Sequence, residues 1–255
     1  MELRILGCHG GETPKHKTSS FLVDGRLALD AGAVTSMLAL DEQQRLETVL
    51  ISHAHLDHIK DLATLADNRC QQGGPTLIVA GIAPTIDILR KHFFNDLLWP
   101  DFSRIPCGDG PTIRLQTIEP EVTVRLSGMN VRAVMVDHTI DTCGFVVQSA
   151  DGSIAYSGDT GPTDRFWTVL TETEDLSALL MEVSFPDEHH QLAKVSGHHT
   201  PETLAADLEK LVGKRGLPIL LHHIKPVFEQ AVEKQLTSMS GRNMELCRLG
   251  DQYIL

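Results

Sequence analysis

Residues 52–58 read Ser-His-Ala-His-Leu-Asp-His, which places three imidazoles and a carboxylate within six consecutive positions, 53–58. Imidazole nitrogen and carboxylate oxygen together suit zinc, manganese or iron. His53 and His55 can converge on one ion while Asp57 and His58 face a second. A solvated polar loop requires no such density, so the segment reads as a metal site. Two divalent ions about 3.5 to 4 Å apart lower the pKa of a shared water, orient a phosphoryl oxygen and steady a departing oxygen. That chemistry is hydrolysis without an organic cofactor.

Such a cluster needs rigid flanks. Residues 48–51 form a short apolar run of the kind found in buried strands, and Ile59, Leu62, Ala63, Leu65 and Ala66 recur at helical spacing. The histidine-rich loop therefore joins a strand to a helix. The chain begins as β-structure over 3–6, followed by 20–23 and 26–29 around the Asp24-Gly25 hairpin turn. Further strands are expected over 76–80, 122–126, 131–136, 145–148, 154–156 and 219–221, with turns at Gly128 and Asp151-Gly152. A helix is expected over 83–92, and Thr200-Pro201 opens another that runs to about residue 212. With 42% hydrophobic residues and no linker, low-complexity run or fixed-period repeat, residues 1–255 read as one α/β domain.

The net charge of −12 argues against a broad nucleic-acid surface, because nonspecific affinity for phosphates comes largely from lysine and arginine. A small anionic substrate remains acceptable, since two ions would add about +4 of local charge. Five scattered cysteines form no CxxC pair and read as buried thiols rather than a disulfide framework or a zinc site. No secretory leader and no run of 18 apolar residues is present, so a soluble, cytoplasmic protein without membrane contact is expected.

The order His53, His55, Asp57, His58 resembles the HxHxDH signature of the metallo-β-lactamase superfamily. Matching later positions are His138 in Val-Asp-His-Thr, Asp159 in Ser-Gly-Asp-Thr-Gly, and a histidine in Leu-His-His-Ile-Lys-Pro. Nearly the whole chain is similar to class II cyclic-nucleotide phosphodiesterases, through Ser-Gly-Asp-Thr-Gly-Pro, Glu-Val-Ser-Phe and Ser-Gly-His-His-Thr-Pro. The resemblance implies a four-layer αββα sandwich with a dinuclear centre at one edge of two packed sheets. It also implies that His53, His55 and His138 bind the first ion, that Asp57, His58 and the late histidine bind the second, and that Asp159 bridges them. Side chains of adjacent strand residues point to opposite faces, so only one of His222 and His223 serves. The family places its ligand directly before Ile-Lys-Pro, which selects His223.

The same resemblance assigns the chemistry. The expected reaction is hydrolysis of a 3′,5′-cyclic nucleotide, cyclic AMP foremost, to the 5′-monophosphate by a metal-activated hydroxide. Two divalent ions per subunit are implied, zinc first, with manganese or iron as alternatives. Asp57 is counted among the catalytic groups as well as the ligands. A ribose oxygen leaves poorly and benefits from a proton. His198 matches the family's acid histidine and Glu182 the carboxylate that orients it, with His199 the neighbouring alternative. His55 is neutral where diiron oxygen-reducing relatives typically carry a carboxylate, which argues against a redox role. The family also makes a homodimer plausible.

A tRNA 3′-processing endonuclease is the enzymatic rival. Its RNA-gripping arm usually lies between the ligands that match His138 and Asp159, but only 20 residues separate them here, and the acidic balance opposes an RNA footprint. A phosphonate-pathway cyclic phosphodiesterase is closer in chemistry, and a non-catalytic metal sensor is the alternative of another class. Phe93, Phe94, Trp99 and Phe102 form an aromatic stretch that would either stack on a purine or pack a helix end. His9, His16, His189 and His190 carry no assignment, because a loop histidine is ordinarily solvated.

Overall fold

The computed structural model describes residues 1–239 and 241–255. Apolar runs of three to eight residues lay down two seven-stranded sheets. The first half of the chain supplies β1 (Glu2–Gly7), β2 (Ser20–Val23), β3 (Leu27–Leu29), β4 (Thr48–Ile51) and β5 (Leu77–Gly81). A small hairpin of β6 (Pro106–Cys107) and β7 (Gly110–Pro111) precedes β8 (Ile113–Thr117). The second half supplies β9 (Val124–Leu126), β10 (Met129–Val136), β11 (Thr142–Gln148), β12 (Ser153–Tyr156), β13 (Leu176–Glu182), β14 (Pro218–His222) and β15 (Asn243–Leu246). A last strand, β16 (Gln252–Ile254), returns to the first sheet. The sheet orders are β16-β1-β2-β3-β4-β5-β8 and β15-β14-β13-β12-β11-β10-β9.

Alternation along the strands sorts side chains into three apolar layers. Leu3, Ile5, Phe21 and Leu29 from one sheet meet Val131, Phe145, Ile154 and Leu180 from the other, forming the inter-sheet core. The opposite face of the first sheet, with Leu22, Val49 and Ile51, is covered by α1 (Val34–Met37), α2 (Leu40–Arg45), α3 (Leu56–Ile59), α4 (Asp61–Gln72) and α5 (Ala83–Ile88). The opposite face of the second sheet, with Val134, Leu179 and Leu221, packs on Phe166 and Trp167 of α6 (Arg165–Glu172) and Leu204 and Leu208 of α8 (Pro201–Leu208). Val232 and Leu236 of α9 (Glu229–Thr237) complete that layer, and α7 (His190–Ser196) precedes α8. Helix, sheet, sheet, helix is the αββα arrangement expected.

Local chemistry placed several boundaries correctly. Asp24 (φ 47°) and Gly25 (φ 67°) make the left-handed pair that a two-residue hairpin demands. The helix from residue 83 continues past Ile88 as a π-type turn over Leu89–Phe93, and the helix opened by Thr200 ends at Leu208 rather than near 212. The expected strands at 26–29 and 122–126 shorten to β3 and β9. The strands β8, β13, β15 and β16 and the helices α6 and α9 were not anticipated, although Phe166, Trp167, Val169 and Leu170 of α6 recur at helical spacing. The aromatic stretch packs the first helical layer. Phe93, Phe94 and Phe102 are buried there, and Trp99 donates its Nε1 hydrogen to the Ala63 carbonyl at 3.0 Å. Cys8, Cys107, Cys143 and Cys247 are buried and Cys70 half-buried, all as free thiols. No helix among the described residues is long and apolar enough to cross a membrane.

Candidate dinuclear metal centre

The centre forms where the carboxyl ends of parallel strands stop and loops begin, the usual location of sites in open α/β sheets. The strand β4 ends into the 53–58 loop, β10 into His138, β12 into Asp159, β13 at Glu182 and β14 into His223. These segments lie far apart in sequence, yet their ligand atoms form two compact sets. One is His53, His55 and His138; the other is Asp57, His58, Asp159 and His223, with all atoms in each set within 4.8 Å of one another. Asp159 Oδ2 lies 3.2 Å from His58 Nε2, 3.1 Å from His223 Nε2 and 3.7 Å from His53 Nε2, so one carboxylate oxygen reaches both sets.

The hydrogen-bond network indicates which nitrogens are bare. His58 Nδ1 donates to Asp30 Oδ2 at 2.7 Å, and His138 Nδ1 donates to the Gly197 carbonyl at 2.8 Å. Ser52 gives its hydroxyl proton to Asp30 Oδ2 and so accepts from His53 Nδ1 at 3.0 Å. Ser184 can give its proton to Glu182 Oε2 and accept from His223 Nδ1 at 2.9 Å. Each of these four rings then turns its Nε2 toward the centre, where it can serve as a ligand. His53 Nε2 and His138 Nε2 approach His55 Nδ1 to 3.0 and 3.3 Å, and His58 Nε2 approaches His223 Nε2 to 3.4 Å. One proton cannot satisfy two lone pairs at His55, and Asp159 Oδ1 is a buried oxygen with no partner among the described residues. Cations would relieve both conflicts, so the residues fit two divalent ions.

The electrostatics agree. Burial opposes charge on His58, but Asp159 and Asp30 outweigh it and raise its pKa well above the usual imidazole value. Burial likewise opposes charge on Asp159, yet His223 and His58 hold it well below the ordinary carboxylate range. A field that draws positive charge this strongly suits metal ions.

His198 and Glu182 stand beside the ligands. His198 Nδ1 is 3.0 Å from Glu182 Oε1, and its ring stacks on His223 with centroids 5.2 Å apart. Burial lowers the His198 pKa, but the Glu182 carboxylate prevails and the net shift is upward. Glu182 is fully buried and also accepts from the backbone NH of Thr160 and of His199, both at 3.2 Å. His199 turns away, with Nδ1 3.1 Å from Thr203 Oγ1 and Nε2 3.7 Å from Asp207. A cavity of about 540 Å³ opens beside His138 and His198, lined also by Asp137, Thr139, His190 and Lys194.

The late histidines separate by strand alternation, as expected, and by a backbone reversal that was not. His222 is the last residue of β14, and its ring lies in the inter-sheet layer 5.1 Å from Phe21 and 5.3 Å from Tyr156. His223 lies just past the strand in a left-handed conformation (φ 69°), its amide held at 2.7 Å by the Cys8 carbonyl. Backbone reversal, added to strand alternation, turns the His223 ring into the site. Such a conformation in a non-glycine residue is costly and clusters at functional sites.

Sequence reasoning missed Asp30, Ser52, Ser184 and Lys225. Asp30, also left-handed at φ 57°, holds Ser52 and His58 and accepts from the Tyr156 hydroxyl at 2.6 Å. An acid ending a buried apolar strand was its one signal. Lys225 is half-buried and has no carboxylate within ion-pair distance among the described residues. Its charge opposes the upward shift at His198 and adds to the burial that lowers the His223 pKa. Gly197 is required beside His138, because it adopts φ 66° and a Cβ there would lie 2.9 Å from His138 Nδ1.

Comparison with known proteins gives a consistent result. A family model described as "Beta-lactamase superfamily domain" matches residues 22–224. A protein of Yersinia pestis named probable 3′,5′-cyclic-nucleotide phosphodiesterase is 31% identical, covering 90% of this chain and 79% of its own. An Aliivibrio fischeri protein named 3′,5′-cyclic-nucleotide phosphodiesterase is 27% identical over 96% of this chain and 90% of its own. The crystal structure of unliganded yeast PDE1 superimposes with a TM-score of 0.85 at 19% identity, covering 100% of this chain and 99% of that one. The chain therefore belongs to the metallo-β-lactamase superfamily, where it groups with proteins named as cyclic-nucleotide phosphodiesterases.

Proposed function

We propose that this chain is a dinuclear-metal phosphodiesterase that hydrolyses 3′,5′-cyclic nucleotides, cyclic AMP among them, to 5′-monophosphates. The observation that carries the reading is the shared Asp159 oxygen between two ligand sets, with the His198–Glu182 pair beside them. Two divalent ions held by His53, His55 and His138 and by Asp57, His58 and His223, with Asp159 between, would supply Lewis-acid charge and make water a nucleophile near neutral pH. Zinc suits this donor set, and Asp57 belongs to the reacting centre as well as to the ligands.

The remaining chemistry falls to the chain. Attack by water forms a new P–O bond, with the water's proton passing to solvent, and breaks the bond to the ribose 3′-oxygen, which needs a proton as it departs. His198 supplies that proton from Nε2, and Nδ1 keeps its hydrogen on Glu182, so the ring returns to neutral without rotating. The cavity beside His138 and His198 has room for part of a nucleotide. Lys225 supplies positive charge for the phosphate. The short span from His138 to Asp159 and the net charge of −12 favour this small substrate over precursor tRNA. We expect a cytoplasmic enzyme acting on a free small molecule.

Purified protein with zinc or manganese should convert cyclic AMP to 5′-AMP, followed by product chromatography with metal analysis. Metal-replete protein that leaves cyclic nucleotides intact and cleaves precursor tRNA would overturn the substrate while keeping the site.

A further inference from the structure

Outside the dinuclear centre, the loop between β1 and β2 and the start of α9 bring His9, His16 and Glu229 together. One ligand atom from each lies within 4.8 Å of the others. His16 Nε2 is 3.2 Å from Glu229 Oε2, His9 Nε2 is 3.9 Å from Glu229 Oε1, and the two rings meet edge to face with centroids 4.6 Å apart. The loop fixes both rings. Thr13 Oγ1 lies 2.5 Å from His16 Nδ1, and the Lys17 carbonyl lies 3.3 Å from His9 Nδ1. Both Nε2 atoms turn toward the carboxylate, His16 Nε2 donating to Glu229 Oε2 at 3.2 Å, and a cation would take the place of that proton. Burial and the adjacent His16 lower the His9 pKa, which keeps that ring neutral and able to ligate. Side-chain exposures of 9%, 17% and 29% leave the group reachable from solvent.

We propose that His9, His16 and Glu229 form a third cation site, independent of the dinuclear centre, that takes one divalent ion of the zinc type. Two imidazoles and a carboxylate with an open fourth position are an established zinc donor set. Arg248, 3.3 Å from Glu229 Oε1, competes for the carboxylate and makes this the weaker site. Binding here has a structural consequence. The Cys8 carbonyl accepts from the His223 amide at 2.7 Å, and the Gly10 amide donates to the Ile224 carbonyl at 3.1 Å. The approach is so close that a Cβ at Gly10 would lie 2.5 Å from the His223 carbonyl oxygen. An ion joining this loop to α9 steadies the segment that presents His223.

The test is a zinc titration of the full chain with metal analysis, using wild type, His16→Gln, Glu229→Gln and His53→Ala, each checked for folding by circular dichroism. Wild type should bind one more zinc than either His16→Gln or Glu229→Gln. His53→Ala should lose zinc from the dinuclear centre and keep the ion that His16→Gln loses. In protein whose dinuclear centre is already filled with zinc, a further excess of zinc should slow amide exchange over residues 9–17 several-fold in wild type and leave it unchanged in His16→Gln. Equal zinc content in wild type and both loop-site variants would overturn the proposal, as would protection from exchange that survives Glu229→Gln.

Discussion

Asp30 Oδ2 stands 2.7 Å from Nδ1 of His58, and both side chains are fully buried. The carboxylate therefore fixes the His58 tautomer and aims Nε2 at the centre. Outer partners of this kind typically tune metal affinity by about 10- to 100-fold. Asp30→Asn should weaken metal binding by that order in a chelator competition, and Tyr156→Phe, which removes one bond to the same oxygen, should weaken it less. Unchanged affinity in Asp30→Asn would show that His58 is oriented from elsewhere.

His223→Ala should lose metal occupancy and activity. His222→Leu should keep both and match or exceed wild type in thermal stability, because both His222 ring nitrogens are buried with no partner among the described residues. Metal analysis and thermal unfolding check the pair, and the reverse pattern would exchange their roles.

His198→Ala should keep its metals and lose about 10²- to 10⁴-fold in rate on cyclic AMP, the usual range for a general acid. The loss should be much smaller on a p-nitrophenyl phosphodiester, whose leaving group needs little protonation. Equal losses on both substrates would indicate positioning instead. The pH profile adds a second readout. Glu182 raises the His198 pKa, and the acid acts only while protonated, so rate should fall as pH rises through that value. Removing the carboxylate in Glu182→Gln should move this alkaline limb to lower pH.

Lys225→Met should retain metals and raise KM for cyclic AMP more than it lowers kcat, since a lysine that contacts the phosphate throughout contributes to ground-state binding. Added salt should raise KM less in the variant than in wild type. Unchanged KM would place the Lys225 charge outside the substrate path.

The sequence alone determined the superfamily and the architecture around the histidine-rich loop. Imidazoles and a carboxylate at positions 53, 55, 57 and 58, after an apolar run and before helical spacing, left little else for residues 48–66 to be. Such signals are local, and the hairpin at Asp24-Gly25 and the cap at Thr200 were legible for the same reason. Elements fully covered on both faces were less so. The strand β13 is almost continuously buried and has no alternation to betray it, although its last residue is Glu182.

Tertiary structure decided what depends on convergence. His53, His138, Asp159 and His223 are separated by up to 170 positions, and only the meeting of two sheet edges brings their ligand atoms together. His222 and His223 are identical in type and adjacent in sequence, yet one packs in the core and the other faces the centre because the chain reverses at φ 69°. Asp30 and Ser184 acquire their importance only from partners supplied by distant strands. His9 and His16 were ordinary loop histidines in the sequence until the fold set Glu229, 213 residues beyond His16, against both rings. Residue type fixes which bonds a side chain can make, and only the folded backbone fixes where its donors and acceptors point.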